Sequence, residues 1–191
     1  MSLLLGIDTE TVRGFKEPQM VQVAAVLYND VADRIEAQLD AIIQPDDMPI
    51  EDEDEAVKIH GIDQGRAEAF GLPGAMVCNA ILHMVKMADA MLCYNDGFDP
   101  RVLVGAMERY GLPTERLANM QKKCVMKLAA EHFNLGPSEA MAATGRLWNR
   151  NVKLGEAYER LFGTPLVGAH GAFTDCRAML QIYRHITRSA S

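Results

Sequence analysis

A short, uninterrupted apolar run near the N-terminus constrains the fold most. Residues 3–7 read Leu-Leu-Leu-Gly-Ile and end at an acid, Asp8. The run is too short for a stable helix but suits a strand that is buried on both faces. Residues 20–28 are apolar and β-branched, and residues 35–41 alternate apolar and polar side chains before Pro45. These three segments therefore predict an antiparallel meander.

Downstream of the meander, the apolar residues recur at helical spacing. Helices are predicted at residues 56–59, 75–88, 100–110, 126–133, 152–162 and 172–187, with short strands at residues 90–94 and 123–125. In the helix at residues 75–88 the predicted buried face holds Met76, Ile81, Met84, Val85 and Ala88. Strand–helix alternation after a meander predicts an α/β fold, with a mixed five-stranded sheet of three antiparallel and then parallel strands, flanked by helices. A length of 191 residues predicts a single domain, residues 1–191.

The charge distribution restricts the binding partners. The chain has 19 basic and 26 acidic residues, and seven of the acids lie between Asp46 and Glu55. Without that acidic block the charges balance, which excludes a protein that coats duplex nucleic acid with a uniformly basic surface. A partner that is bound locally stays open. We expect the block to be a solvated loop that leads into a helix N-terminus, or else a region that limits nucleic-acid binding to a frayed end.

The cysteines, the N-terminus and the hydropathy exclude further classes of protein. Four cysteines without a C-x-x-C pair lack the spacing of zinc ligands and predict reduced, buried thiols. The N-terminus lacks the basic region of a signal peptide, and no apolar run approaches the ~18 residues of a membrane span. We therefore expect a cytoplasmic protein that does not bind a membrane.

Acidic residues stand at the ends of several predicted elements. Asp8 and Glu10 are two residues apart at the end of the first strand, so both would point to the same face. Buried acids in this place cost much desolvation energy unless a cation compensates them. Asp99 would lie at the N-terminal end of a helix, where the macrodipole favours an anion. Asp175 would lie in the first turns of the last helix, and His170 between glycines in the loop before it.

Each of these residues has an ordinary structural explanation when it is taken alone. Acids alternate by chance in many strands, and Asp99 could be a plain helix cap with Asn95 in the preceding turn. His170 could be an ordinary loop histidine and Asp175 a capping-turn acid. Together, four carboxylates at the C-terminal edge of one sheet are far more specific. Two divalent cations would neutralise them, and a histidine that titrates near neutral pH could deprotonate an attacking water, which indicates hydrolytic phosphoryl transfer.

Three segments of the chain resemble the exonuclease motifs of the DEDDh branch of the DnaQ-like 3′→5′ exonucleases, which have a ribonuclease H-like fold. They are residues 8–10 (Asp-Thr-Glu), residues 95–99 (Asn-Asp-Gly-Phe-Asp) and residues 170–175 (His-Gly-Ala-Phe-Thr-Asp). Residues 59–62 and 126–129 add two weaker family features, and the resemblance spans residues 3–186. Two departures stand out: Tyr94 replaces a histidine of many members, and Cys124 replaces a common aspartate.

The resemblance implies a metal-dependent 3′→5′ exonuclease that releases nucleoside 5′-monophosphates from single-stranded or frayed 3′ ends of DNA or RNA. By this resemblance, two divalent cations, Mg²⁺ or Mn²⁺, are bound by Asp8, Glu10, Asp99 and Asp175, and the general base is His170. The pocket for the 3′-terminal nucleotide would be lined by Thr9, Thr11, His60, Asn95 and Phe98.

A second function stays open, namely a non-catalytic nucleic-acid- or polymerase-binding module of the same fold, as in a proofreading subunit. Such a module is expected to have lost a carboxylate or the histidine, and all five residues are present. The chain ends directly after the last predicted helix, which favours a stand-alone nuclease. A polymerase or a second copy of the chain could still bind its surface. The sequence does not separate DNA from RNA, or repair from RNA trimming, proofreading or phage replication.

Overall fold

The computed structural model describes residues 2–13, 18–46, 48–51 and 53–189, and a mixed sheet runs through their centre. Among these residues five strands form the sheet in the order β3-β2-β1-β4-β5. They are β1 (Leu3–Val12), β2 (Gln19–Asn29), β3 (Arg34–Ile42), β4 (Ala90–Cys93) and β5 (Gln121–Cys124). The first three pair antiparallel, whereas β4 pairs parallel with β1 and β5 parallel with β4. The predicted α/β fold with a mixed five-stranded sheet is confirmed.

Helices cover both faces of the sheet. In the described part of the chain they are α1 (Glu55–His60), α2 (Gln64–Phe70), α3 (Gly74–Met87), α4 (Asp99–Arg109), α5 (Glu115–Asn119), α6 (Val125–Phe133), α7 (Glu139–Ala143), α8 (Leu154–Phe162) and α9 (Ala172–Ser189). The predicted helices are found within a few residues of their expected bounds. The short helices α2, α5 and α7 were not predicted, because five to seven residues show too little periodicity. No helix in these residues is both long enough and apolar enough for a membrane span.

The central strand β1 is buried on both faces, as its apolar run predicts. Leu5 and Ile7 belong to a core cluster built with α3 and α4, and Leu4 belongs to a second cluster built with α6, α8 and α9. Gly6 lets α9 approach the strand closely, because a Cβ there would lie 3.3 Å from the Met179 methyl carbon. The sheet is therefore fixed tightly between two helical layers.

Two expectations from the sequence are corrected. The strand does not end at its acids but continues to Val12, because residues 3–12 all pair with β2. Its parallel pairing with β4 ends at Gly6, so Asp8 and Glu10 lie on a part of β1 that has left its β4 neighbour. Met76 is 54% exposed rather than buried, because it lies in the first turn of α3, where Val77 and Cys78 point inward instead.

The described part of the acidic block leads into a helix N-terminus, as expected. The Asp54 carboxylate caps α1 by accepting a hydrogen bond from the Ala56 N–H (2.9 Å), and it also accepts one from the Arg13 N–H (2.6 Å). At the start of the block, Asp46 accepts a hydrogen bond from the Tyr110 hydroxyl. Asp47 and Asp52 lie outside the described residues.

Candidate active site

Three carboxylates from two elements meet beyond the end of β4. Asp8 and Glu10 are two residues apart on β1 and share a face, and Asp175 lies in the first turn of α9. One oxygen of each lies within 4.8 Å of the others, and all three side chains are half-buried. One oxygen of Asp175, Oδ1, is buried without a hydrogen-bond partner among the described residues. Clustered carboxylate oxygens with a free acceptor fit a divalent cation such as Mg²⁺ or Mn²⁺.

The fourth acid, Asp99, is held beside this cluster by Thr9. Asp99 is the first residue of α4 and is only 5% exposed. Its Oδ1 accepts hydrogen bonds from the Thr9 N–H (3.0 Å) and the Thr9 hydroxyl (2.8 Å). The carboxylate therefore binds the neighbouring strand, which corrects the simpler alternative of a plain helix cap. It also fixes the start of α4 against β1.

The four acids interact electrostatically at close range. Burial raises the pKa of Asp8 well above its ordinary value, and repulsion from the other three carboxylates adds to this. Burial, followed by repulsion from Asp175 and Asp99, raises the pKa of Glu10 to about 7. Burial raises the pKa of Asp99 to about 6, although the Thr9 hydrogen bonds act in the opposite direction. The site thus binds protons near neutral pH, and a bound cation would displace them.

His170 lies in the loop before α9 with an exposed side chain and a left-handed backbone (φ 67°). Its backbone N–H donates a hydrogen bond to Asp175 Oδ2 (3.2 Å). Burial raises the pKa of Asp175, whereas this hydrogen bond and the charge of the nearby imidazole lower it. The loop therefore brings His170 next to the cluster, with its imidazole on the solvent side.

The residues expected to bind a nucleotide differ in their surroundings. The Thr9 hydroxyl is buried and occupied by Asp99, so in this structure it holds that carboxylate. Thr11 is half-buried further along the same strand. At the end of α1, His60 accepts a hydrogen bond from the Ile62 N–H (3.0 Å), and its imidazole also interacts with the backbone of Thr11. Burial lowers the pKa of this imidazole.

The other two residues expected to contact a nucleotide, Asn95 and Phe98, precede Asp99 in the sequence. Asn95 is exposed and accepts a hydrogen bond from the Gly97 N–H (3.1 Å), which places it in a turn. Phe98 is half-buried and packs on the core cluster under α4. Contact of these residues with a nucleotide stays a prediction.

The sequence reasoning missed the supporting contacts of two residues, Gln22 and Tyr94. The side-chain oxygen of Gln22 accepts a hydrogen bond from the Ala172 N–H (3.4 Å), and Gln22 lies opposite Glu10 on β2. It is the one amide side chain within the apolar segment at residues 20–28, and this signal could have identified it. The buried hydroxyl of Tyr94 donates to the Val152 carbonyl (2.8 Å), which anchors the segment before α8 beside the site.

The RNase_T family, described as exonuclease, matches residues 5–183. The chain belongs to this family. The DnaQ-like resemblance seen in the sequence is thereby confirmed, and exonucleases of this family generally use divalent metal ions. No curated protein sequence matches the chain.

Solved structures of exonuclease I share the fold of this RNase_T domain and confirm its ribonuclease H-like architecture. A complex of E. coli exonuclease I with a dA16 oligonucleotide has a TM-score of 0.78 at 19% identity, and the match covers 98% of this chain and 41% of that chain. An apo form has a TM-score of 0.75 at 19% identity, with 98% and 42% covered. A complex of ExoI with SSB-Ct has a TM-score of 0.72 at 16% identity, with 98% and 41% covered. The chain spans about two fifths of the length of these proteins.

Crowding of the acids predicts that the metal-free protein loses stability as the pH rises. The raised pKa values mean that the folded state binds protons more tightly than the unfolded chain, so this stabilisation is present at low pH and is lost as Glu10 and Asp99 ionise. In EDTA, the contribution of the site to the melting temperature should fall between about pH 5 and pH 7. Millimolar Mn²⁺ should restore it at the upper end of this range.

This prediction is tested with the variant Glu10→Gln. The control is Glu131→Gln, which changes an exposed glutamate on α6. Glu10→Gln should raise the melting temperature in EDTA near neutral pH and reduce the Mn²⁺-induced shift, whereas the control should change neither. An unchanged response to Mn²⁺ in Glu10→Gln would contradict the assignment of this carboxylate to the metal site.

Removal of the Thr9 hydroxyl should weaken metal binding measurably. Thr9→Val keeps the shape of the side chain but removes the hydroxyl donor to Asp99, and loss of such an orienting partner typically costs 10–100-fold in metal affinity. Isothermal titration with Mn²⁺ should show weakening of about this size. Thr9→Ser retains the donor and should bind nearly as tightly as the wild type. Equal affinities for all three proteins would show that Thr9 does not orient Asp99.

Proposed function

We propose that this chain is a metal-dependent 3′→5′ exonuclease that releases nucleoside 5′-monophosphates from single-stranded DNA or RNA. The observation that carries the proposal is the meeting of Asp8, Glu10 and Asp175 within 4.8 Å in a chain of an exonuclease family. The buried Asp99 adds a fourth negative charge to the same site. This set offers oxygen ligands for two cations, Mg²⁺ or Mn²⁺.

In this proposal the acidic side chains bind the metal ions. Asp8, Glu10 and Asp175 would hold the cations, with Asp99 oriented toward them by Thr9. When bound, the cations would lower the pKa of the attacking water and neutralise charge on the transferring phosphate. The carboxylates alone would repel the scissile phosphate, so placement of that phosphate at the site depends on their occupation by cations.

His170 is the general base in this proposal. The hydrogen bond from its backbone N–H to Asp175 supports this role, because it holds His170 next to the cluster, and a nitrogen of its exposed ring would take the proton of the attacking water. The water oxygen then bonds to phosphorus as the bond to the 3′-oxygen of the penultimate nucleotide breaks, and that oxygen accepts a proton. The products are a nucleoside 5′-monophosphate and a strand shortened by one nucleotide.

Single strands are the substrate that the similarities favour. One of the similar structures is E. coli exonuclease I in complex with a dA16 oligonucleotide. The net charge of −7 gives this chain little general affinity for duplex, and a paired 3′ end would have to be unstacked before it reached the carboxylates.

The direction of digestion tests the activity itself. With Mg²⁺ or Mn²⁺, a 3′-labelled single strand should release its label first as a mononucleotide, whereas a 5′-labelled strand should give a ladder of shortening products. Asp8→Asn should lose more than about 100-fold in rate, because loss of a ligand should exceed the usual effect of an outer partner. The control Asp96→Asn removes an acid that pairs with Lys127 (2.8 Å) outside the cluster, and it should remain active. Release of the 5′ label first, or no cleavage of DNA or RNA, would refute the proposal.

The role of His170 is tested by separating rate from binding. His170→Ala should lower kcat by ~10²–10⁴, the usual contribution of a general base, while Mn²⁺ affinity stays close to that of the wild type. Single-turnover rates and metal titration measure the two quantities separately. Weakened substrate binding with an unchanged kcat would instead make His170 a positioning residue.

A further inference from the structure

A loop between α6 and α8 presents the chain's single tryptophan to solvent. The loop is closed at its base by two hydrogen bonds, from the Gly136 N–H to the Asn149 side chain (2.7 Å) and from the Arg150 N–H to the Gly136 carbonyl (2.8 Å). Within it, Leu147 is 79% exposed and Trp148 64% exposed. The chain contains one tryptophan, and it lies outside every core cluster formed by the described residues.

The backbone before Trp148 is held in a defined turn. Helix α7 ends at Ala143, and two residues later Gly145 adopts a left-handed conformation (φ 75°) and donates its N–H to the Ala142 carbonyl (3.0 Å). The Arg146 N–H donates to the Met141 carbonyl (2.9 Å). This hydrogen-bonded helix end directs the following residues away from the helix, so the exposure of Trp148 follows from the local fold.

The base of the loop lies beside the candidate active site. Val152 is buried and accepts a hydrogen bond from Tyr94, which directly precedes Asn95. Val152 and Tyr94 share a core cluster with Ala172, the first residue of the helix that carries Asp175. Trp148 is four residues from Val152 in the sequence, so their Cα atoms are at most about 14 Å apart. A strand that leaves the carboxylates can therefore reach the indole within a few nucleotides.

The charge around Trp148 is opposite to that of the whole chain. Residues 140–155 contain no Asp or Glu but include Arg146, Arg150 and Lys153, whereas the chain has a net charge of −7. Arg146 and Lys153 are exposed, and Arg150 pairs with Glu156 (2.7 Å). An exposed indole near exposed cations is the combination that binds single-stranded nucleic acids, because any base can stack on the ring while the cations neutralise phosphates.

We propose that Trp148 is a stacking platform for a base of the single strand, upstream of the nucleotide at the carboxylates, with Arg146 and Lys153 beside its phosphates. The proposal rests on the proposed exonuclease function and assigns a second contact point for the same substrate. This contact would lengthen the binding site beyond the terminal nucleotide and would favour oligonucleotides over very short substrates.

The single tryptophan supplies a direct test by fluorescence. In EDTA, titration of the wild type with dT16 should quench the emission saturably, because a stacked base contacts the only indole in the chain. Anisotropy of fluorescein-labelled dT16 should show that Trp148→Ala weakens binding about 5- to 150-fold, the usual cost of losing one stacked base. Trp148→Phe should lose less. The control Leu147→Ala removes the neighbouring exposed apolar side chain and should bind dT16 like the wild type.

Kinetics distinguish a binding platform from a general structural effect. With Mn²⁺, Trp148→Ala should raise KM for dT16 by a similar factor and change kcat less than about twofold, with an unchanged melting temperature. The wild type's preference for dT16 over a dinucleotide, in kcat/KM, should shrink correspondingly. A fall in kcat at constant KM would overturn the proposal.

The remaining outcomes separate this proposal from the proposed function. Degradation of dT16 by the wild type without tryptophan quenching, or with equal affinity in Trp148→Ala, would overturn the platform and leave the exonuclease intact. A blue shift that depends on protein concentration rather than on dT16 would overturn it in favour of a contact between copies of the chain. A wild type that neither binds nor degrades dT16 would refute the exonuclease function, and this proposal with it.

Discussion

Repulsion among four partly or fully buried carboxylates is the constraint on which the site depends. Burial disfavours ionisation of all four, repulsion adds to this at Asp8 and Glu10, and hydrogen bonds to the charged forms of Asp99 and Asp175 offset part of the cost. Thr9 donates twice to Asp99, and the His170 backbone donates once to Asp175. The fold thus tolerates a charge arrangement that becomes favourable only when protons or cations neutralise it.

The sequence predicted the fold well where the signal was local. The run at residues 3–7 identified the buried central strand, and the alternation at residues 35–41 identified β3. It failed where pairing partners decided the outcome: β1 continues to Val12 because β2 lies alongside it, although its second half is polar. Met76 was misplaced for a related reason, because helical periodicity does not show where the first turn meets solvent.

The acids of the candidate site were also predictable, but the residues that support them were not. Asp8 and Glu10 directly follow the apolar run, Asp99 and Asp175 lie in the first turns of helices, and the resemblance to the DnaQ-like motifs picked out the same positions. Thr9 and Gln22 form hydrogen bonds with residues 90 and 150 positions away, so the sequence can single them out but does not show which partners they support. Tyr94, a departure from the family pattern, is explained by its hydrogen bond to Val152, which ties the tryptophan-bearing loop to the site.

The residues of the candidate site differ in how firmly the fold holds them. Asp8 and Glu10 lie on the same unbroken strand that carries the core residues Leu5 and Ile7, so displacing them would require separating the sheet from its helices. His170 and Trp148 come instead from exposed loops. In the proposed exonuclease, the loops would therefore accommodate different bases or sugars, and the substrate range of such a domain could change through its loops while the carboxylate cluster stays the same.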